Sequence, residues 1–177
     1  FAPFFNKEAE ADSIFQSIET EYLSAKKIAS VAVKRPTVFS GAMYKDVWYM
    51  PAGNSWAAQF LEDANTNYVW KETIGTGSVS LNFENVLEKA SDADLWIGAS
   101  QFTSYAQLEE NNLHYTRFKA FQQKKAFTFS LTTGETGGVE YYELAPNRPD
   151  IVLKDLIKIA HPELLPGYEP YFFKPLQ

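Results

Sequence analysis

The chain of 177 residues has a net charge of −6 and is 45% apolar, which is typical of a globular protein able to bury one sizeable core. Its basic residues are scattered, which argues against nucleic acid as a partner, because nucleic-acid binding gathers basic residues on one surface. The absence of cysteine excludes disulfides, thiolate catalysis and cysteine-based zinc sites, and no stretch is long and apolar enough to span a bilayer.

The first part of the chain predicts a long helix, a short strand and a second helix. Ile14, Ile18 and Tyr22 recur at helical spacing within residues 6–29. The β-prone run 37–40 lies between a proline and a glycine, which is typical of a buried strand. A helix over 54–64 follows, with Asn54 or Ser55 as N-cap, and then a β-like run over 68–70 and a loop rich in Gly, Thr and Ser.

Strands and helices continue to alternate in the remainder of the chain. The patterns predict helices over 82–90, 102–110, 115–121 and 150–160, the last capped by Asp150, and strands over 95–98 and 126–130. Residues 132–138 form a flexible loop, and the proline-rich end of the chain, 161–177, forms a docked tail or an arm. This alternation predicts an α/β three-layer sandwich with a mostly parallel central sheet, a Rossmann-like lobe preceded by a long helix. We divide the chain into the helix, 1–30, and a single lobe, 31–177.

Aromatic residues follow three of the predicted strands, and they are the candidate site. Loops at the carboxyl ends of parallel strands line a crevice in which ligands bind. Flat rings with polar tips suit a large, partly apolar macrocycle or a catecholate chelate. The alternative is a hairpin in which Trp48 and Tyr49 pack on the first helix. The candidate ligand-binding residues are Tyr44, Trp48, Tyr49, Phe102, Tyr105, Thr133, Tyr141 and Tyr142.

Other polar residues are weaker candidates. His114 and His161 are too isolated to build a metal site, so we predict no metal-ligating residues. The pairs Glu109 with Glu110 and Glu140 with Glu143 are either acid–base groups or solvated helix faces. The sequence TTGETGG lacks the lysine and spacing of a P-loop and predicts a mobile loop. Arg148 pairs either with an anionic ligand or with the start of the last helix.

Several segments together resemble a known family, the substrate-binding proteins of ABC importers for iron-siderophores, haem and cobalamin. These segments cover nearly the whole chain, and the order and spacing of the pieces carry the resemblance. They are NKEAEADSIFQSIETEYLSAKK, RPTVFSGAMYKDVWYMPAGNSWAAQFLEDAN, LNFENVLEKASDADLWIG, and AFTFS with YYELAPNRPDIVLKDLIKIAHPELL.

The resemblance implies a function, partners and a location. Proteins of that family have two lobes joined by one long helix, and this chain resembles that linking helix plus the C-terminal lobe. The expected function is non-catalytic: binding a metal chelate, without a cofactor of the protein's own, and delivering it to an ABC permease, with Glu109 or Glu110 at the docking surface. The expected location is the periplasm or cell envelope, with a lipid anchor in the full-length protein.

Two further expectations concern the chain itself. It begins at Phe1 without Met, which indicates a processed or truncated protein whose N-terminal lobe is missing. A lobe without its partner exposes its cleft face, so the isolated chain is expected to self-associate. The alternative function is a small α/β enzyme, chelatase-like or nucleotide-using, in which His or Glu residues transfer protons.

Overall fold

A computed structural model describes residues 2–177 and confirms the predicted fold class, an α/β fold with a mostly parallel sheet preceded by a long helix. The helices are α1 (Glu8–Ala29), α2 (Trp56–Asp63), α3 (Phe83–Ala90), α4 (Tyr105–Asn111), α5 (Lys119–Gln122), α6 (Glu140–Leu144) and α7 (Pro149–Ala160). The strands are β1 (Thr37–Ser40), β2 (Ala42–Tyr44), β3 (Val47–Pro51), β4 (Asn67–Tyr68), β5 (Ser78–Leu81), β6 (Leu95–Ile97), β7 (Ala126–Thr128) and β8 (Lys174–Pro175). Short 3₁₀ turns cover Ala2–Phe5, Leu113–Arg117 and Ala145–Asn147.

The main sheet has the strand order β4-β1-β6-β7-β8. Strands β4, β1, β6 and β7 run parallel, and within this sheet of the described chain only β8, in the docked tail, is antiparallel. Phe39 lies opposite Trp96 in the register, and both are fully buried. Continuous apolar runs such as Leu95–Ile97 are expected where helices and loops cover both faces of a parallel sheet.

A second sheet, β2-β3-β5, is absent from the sequence prediction. The segment after β1 folds back as the antiparallel hairpin β2-β3, and β5 adds a third strand to it. Strand β5 lies in the segment predicted to be a loop, because its sequence SVSL continues a run of Gly, Thr and Ser. The hairpin alternative is therefore correct in its strands, but Trp48 packs on Phe39 and Trp96 rather than on α1.

Several predicted helices have different boundaries in the structure, and the one predicted over 102–110 begins only at Tyr105. The helix predicted over 115–121 is interrupted at the buried residue Phe118, whose ψ of 132° is extended and separates a 3₁₀ turn from α5. Helix α7 begins at Pro149, whose fixed φ suits the first helical position. Asp150 is therefore not the cap: it lies inside the first turn and accepts hydrogen bonds from Arg148.

Helix α1 is attached to the lobe by its C-terminal half. The Asp63 carboxylate at the end of α2 accepts a hydrogen bond from the Tyr22 hydroxyl at 2.5 Å and lies 2.8 Å from the Lys26 ammonium. Ile14 and Phe15, on the N-terminal half, are 55% and 68% exposed. The apolar stripe that predicted an amphipathic helix is thus buried only where α2 and α7 lie beside it.

The C-terminal tail is docked, and a buried carboxylate holds it. Asp155 of α7 is fully buried and accepts hydrogen bonds from the Tyr168 hydroxyl and from the peptide N–H groups of Tyr171, Phe172 and Phe173, at 2.6 to 3.0 Å. These bonds place Phe172 and Phe173 in the core and align β8 with β7. A buried acceptor with several donors is expensive to remove, because the donors lose their partner away from water.

We expect Asp155→Ala to lower the free energy of unfolding by about 3 to 5 kcal/mol and to expose the tail to proteases, because one hydroxyl and three peptide groups lose their acceptor. Denaturant unfolding and limited proteolysis of the region 168–177 measure both effects. Glu163→Ala, an exposed change just after α7, is the control and should alter stability by less than about 0.5 kcal/mol. Equal unfolding energies for the two variants would contradict the assigned role of Asp155.

Candidate functional site

A cavity of about 500 Å³ opens at the carboxyl ends of β1 and β6. The chain runs from β1 to β4 on one side of β1 and then crosses from β4 to β6 on the other side, so the connections reverse direction between β1 and β6. In α/β sheets this reversal leaves a crevice in which ligands bind. The cavity walls come from the strand ends, the hairpin, the start of α2, helix α6, α7 and the tail. The aromatic lining residues are Tyr44, Tyr49, Trp56, Phe60, Phe129, Tyr141, Tyr142 and Phe173.

The floor of the cavity is the turn that ends β1. The Trp48 indole N–H donates to the Ser40 carbonyl at 2.9 Å, and the Trp96 indole N–H donates to the Gly41 carbonyl at 2.8 Å. Gly41 has a φ of +85°, and a Cβ at this position would lie 1.8 Å from the Tyr49 carbonyl oxygen. Only glycine fits this turn, which brings the hairpin close to the end of β1.

Three aromatic rings form a stack along one wall. The Phe129 and Tyr141 rings lie 4.5 Å apart between centroids at an interplanar angle of 12°, and Trp56 continues the series at 6.3 Å and 20° from Tyr141. Tyr141 is buried and Trp56 is 53% exposed, so the open end of the stack is the indole. Burial raises the pKa of the Tyr141 phenol, with smaller contributions from Tyr142 and Asp155. The phenol is neutral at physiological pH.

The structure brings four of the predicted ligand-binding residues to this cavity. Tyr44 and Tyr49 line it from the hairpin, and Tyr141 and Tyr142 line it from α6. Tyr44, Tyr49 and Tyr142 keep large exposed surfaces, so their hydroxyls can reach a ligand. Whether they bind one stays a prediction.

The other four predicted residues lie elsewhere, and this part of the prediction is corrected. Trp48 is fully buried because successive strand residues face opposite sides, so Tyr49 points outward and Trp48 points inward. Phe102 packs against Tyr115 in the core. The Tyr105 hydroxyl accepts a hydrogen bond from the Ala126 N–H at 3.0 Å. Phe102 lies in the loop between β6 and α4 and Tyr105 is the first residue of α4, and both turn back onto the core.

Thr133 also lies outside the cavity lining. It is exposed and pairs with Val139 in an isolated antiparallel bridge that closes the loop after β7. That loop therefore reaches the cavity through its far end, at Tyr141 and Tyr142.

Trp56 lines the cavity but is not among the residues that the sequence predicted for ligand binding. It is the first residue of α2, and helical side chains lean toward the N-terminus, so its ring lies over the start of the helix and borders the cavity. The sequence contains a signal for this position, since Trp56 is an aromatic residue at the first helical position, directly after the turn that leaves the hairpin.

The residues that line this cavity in the described range 2–177 include no Lys, Arg, His, Asp or Glu. Arg148 is paired with Asp150 through two hydrogen bonds of 2.9 and 2.8 Å. Burial alone would raise the pKa of Asp150, but the adjacent guanidinium holds that pKa below its usual value. His161 is buried with Nε2 at 3.1 Å from the Ala64 carbonyl, and His114 lies against the Phe83 ring.

The acid–base residues of the alternative enzyme hypothesis therefore do not meet at the cavity. His114, His161 and the carboxylates of Glu109 and Glu110 are all outside its lining. Among residues 2–177 no group of three or more His, Cys, Asp or Glu side chains is arranged to hold a metal ion. What the cavity offers a ligand is ring faces, hydroxyls and peptide groups.

A family described as periplasmic binding protein matches residues 2–130 of this chain. The chain belongs to that family. The matched region runs from α1 through β7 and so includes the hairpin, the start of α2 and the strand ends at the cavity floor. Tyr141 and Tyr142 lie beyond it.

Relatives of this periplasmic binding protein are longer than the chain. An uncharacterized lipoprotein of Methanocaldococcus jannaschii is 33% identical over 176 residues, which are 98% of this chain and 40% of the relative. FepB of Veillonella parvula, a TroA-like periplasmic binding protein, is 18% identical, with a TM-score of 0.68 over 97% of this chain and 58% of FepB. IsdE of S. aureus, solved in complex with heme, is 16% identical, with a TM-score of 0.62 over 90% of this chain and 60% of IsdE.

The similarity to the solved structures shows a shared fold. The chain spans 40% of the curated relative's length and about three fifths of FepB and IsdE. None of the helices within residues 2–177 combines the length and apolar character needed to cross a membrane.

We expect Trp56 to dominate collisional quenching of this protein's fluorescence. The other three tryptophans, Trp48, Trp70 and Trp96, are at most 3% exposed. Trp56→Phe should therefore remove most acrylamide-quenchable emission and shift the Tm by no more than about 2 °C, because a partly exposed ring is replaced by a smaller ring. Acrylamide titration and thermal melting test this. Unchanged quenching in the variant would show that the indole is covered.

Proposed function

We propose that this periplasmic binding protein is the solute-binding component of an ABC importer, and that its cavity receives one side of a metal chelate such as an iron-siderophore, haem or cobalamin. The observation that carries the proposal is the open aromatic wall at the reversal point of a parallel sheet, in a chain of this family. Stacked rings bind flat or macrocyclic surfaces, and tyrosine hydroxyls bind their polar edges. The ligand brings its metal already chelated, and the protein supplies no metal ligands and no catalysis.

A second lobe completes the binding site in this proposal. The cavity is open to one side, and the chain spans only part of its relatives. Residues 1–30 would form the linking helix and residues 31–177 the C-terminal lobe, with an N-terminal lobe facing the aromatic wall. The M. jannaschii relative is a lipoprotein, which supports a lipid anchor and a place in the cell envelope. Reading the gene upstream of Phe1 tests this, since an anchor signal and an α/β lobe are expected there.

An exposed binding face also favours self-association of the isolated chain. Tyr44, Tyr49 and Tyr142 leave aromatic surface open to water around the cavity mouth. Sedimentation velocity over a range of concentrations would reveal dimers, and a saturating chelate should reduce them if the same face is used.

We expect a chelate to quench Trp56 fluorescence when it enters the cavity, without chemical turnover. Haem, cyanocobalamin and a ferric trihydroxamate are suitable probes, and half a site should bind with a Kd on the order of micromolar or weaker, because much of the contact area is missing. Tyr142→Ala should weaken binding by about fivefold to tenfold, since it removes an exposed ring from the wall.

Phe15→Ala is the matched control for this titration. Phe15 is exposed to the same degree as Tyr142, but it lies on α1 and not in the cavity lining. Calorimetry provides a readout that does not depend on tryptophan. If no probe binds, or if Tyr142→Ala and Phe15→Ala bind equally well, the cavity is not the chelate site.

Docking to the permease is proposed for Glu109 and Glu110. Both are exposed on α4, where they can face basic residues of a partner. Replacing both with Gln in the full-length protein should reduce permease stimulation and leave chelate affinity unchanged. Glu84→Gln with Glu88→Gln, a like change on exposed α3 residues, is the control. Equal stimulation by both double variants would assign docking to another surface.

A further inference from the structure

The cavity wall of this lobe is uncharged. Its polar groups are hydroxyls and peptide groups, from residues such as Ser40, Ser78 and Ser100, and no formally charged side chain lines it within residues 2–177. The phenol of Tyr141 is neutral at neutral pH, and burial raises its pKa further. A negatively charged ligand that enters this wall loses water without gaining an opposite charge.

The charged residues next to the wall are more acidic than basic. Glu140 and Glu143 lie on α6 beside Tyr141 and Tyr142, and both are carboxylates. At the hairpin turn Lys45 and Asp46 are adjacent and opposite in sign. Neither glutamate lines the cavity and Glu140 accepts a hydrogen bond from the Tyr171 hydroxyl, so the negative balance is confined to the α6 side of the wall, where it opposes anions.

Two sources of positive charge could offset this balance, and neither does so fully. Arg148 is held by both oxygens of Asp150 and does not line the cavity. The start of α2 borders the cavity at Ser55 and Trp56, but a helix N-terminus carries only about half an elementary charge. This is far less than a polyanionic chelate requires.

From these observations, and resting on the proposed function, we infer that this lobe selects chelates that present an uncharged surface to it and discriminates against polyanionic chelates. The wall recognises the ligand by ring stacking and by hydrogen bonds from hydroxyl groups. Any strongly charged group of the ligand points toward the opposite lobe or toward water.

Two iron chelates that differ in charge allow the effect of ligand charge on affinity to be measured separately from the effect of ring stacking. A ferric trihydroxamate is neutral, and a ferric tricatecholate is a trianion whose aromatic rings stack better on an aromatic wall. An uncharged, acid-rimmed wall should bind the neutral chelate at least about tenfold more tightly in low salt. Its Kd should change by less than about twofold between about 20 mM and about 500 mM salt, because no ion pair is formed. Calorimetry on the 177-residue chain measures both quantities.

A designed charge tests the same inference in the opposite direction. Ser78 is exposed on the edge strand β5 and lines the cavity, so Ser78→Lys adds a cation to the wall with little effect on the fold. The affinity for the tricatecholate should rise at least about threefold and should fall again when salt is added. Ser17→Lys, the same change on the exposed half of α1, should leave both affinities unaltered.

The outcomes distinguish the two levels of the proposal. If neither chelate binds, the proposed function and this inference fail together. If both bind and the tricatecholate binds as tightly as the neutral chelate or more so, chelate binding stands and the charge selection is wrong. A response to Ser17→Lys equal to that of Ser78→Lys would show that the effect is long-range attraction rather than selection at the wall.

Discussion

Two indole hydrogen bonds hold the turn on which the candidate site is built. Trp48 and Trp96 donate to the carbonyls of Ser40 and Gly41, where the parallel sheet ends and the hairpin begins. The first bond is buried and the second is partly buried, and a carbonyl that is removed from water needs such a partner. These two hydrogen bonds fix the direction in which the hairpin leaves the sheet. That direction places the outward-facing residue Tyr49 on the cavity wall.

The fold could be predicted where a periodic apolar pattern was long or a strand was bounded by turn residues. Helix α1, strand β1 and helix α7 were found within one or two residues for this reason. Strand β5 could not be predicted, because apolar and polar residues alternate only weakly in SVSL. Its extended conformation depends on pairing with β3. Strand β8 is two residues long and depends on the Asp155 hydrogen bonds, which no local pattern records.

The site was predicted by position along the chain, and the errors follow from that method. Residues after a strand reach the cavity only if the backbone turns them outward, and alternation separates Tyr49 from its neighbour Trp48. Phe102 follows β6, but it is buried against Tyr115 rather than placed at the mouth. Trp56 was not predicted, because helical spacing alone does not show that its place in the first turn of α2 leaves the side chain half exposed beside the cavity.

Helix α2, like α7, contacts both the cavity and helix α1. Its first turn borders the cavity, and its last residue, Asp63, grips α1 through Tyr22 and Lys26. From that grip α1 extends toward Glu8 for about 21 Å, at 1.5 Å per residue. A tilt of α2 by about 5° would then swing the far end of α1 through about 2 Å. A change in packing at the aromatic wall that tilted the eight-residue helix α2 would therefore move the N-terminal end of α1.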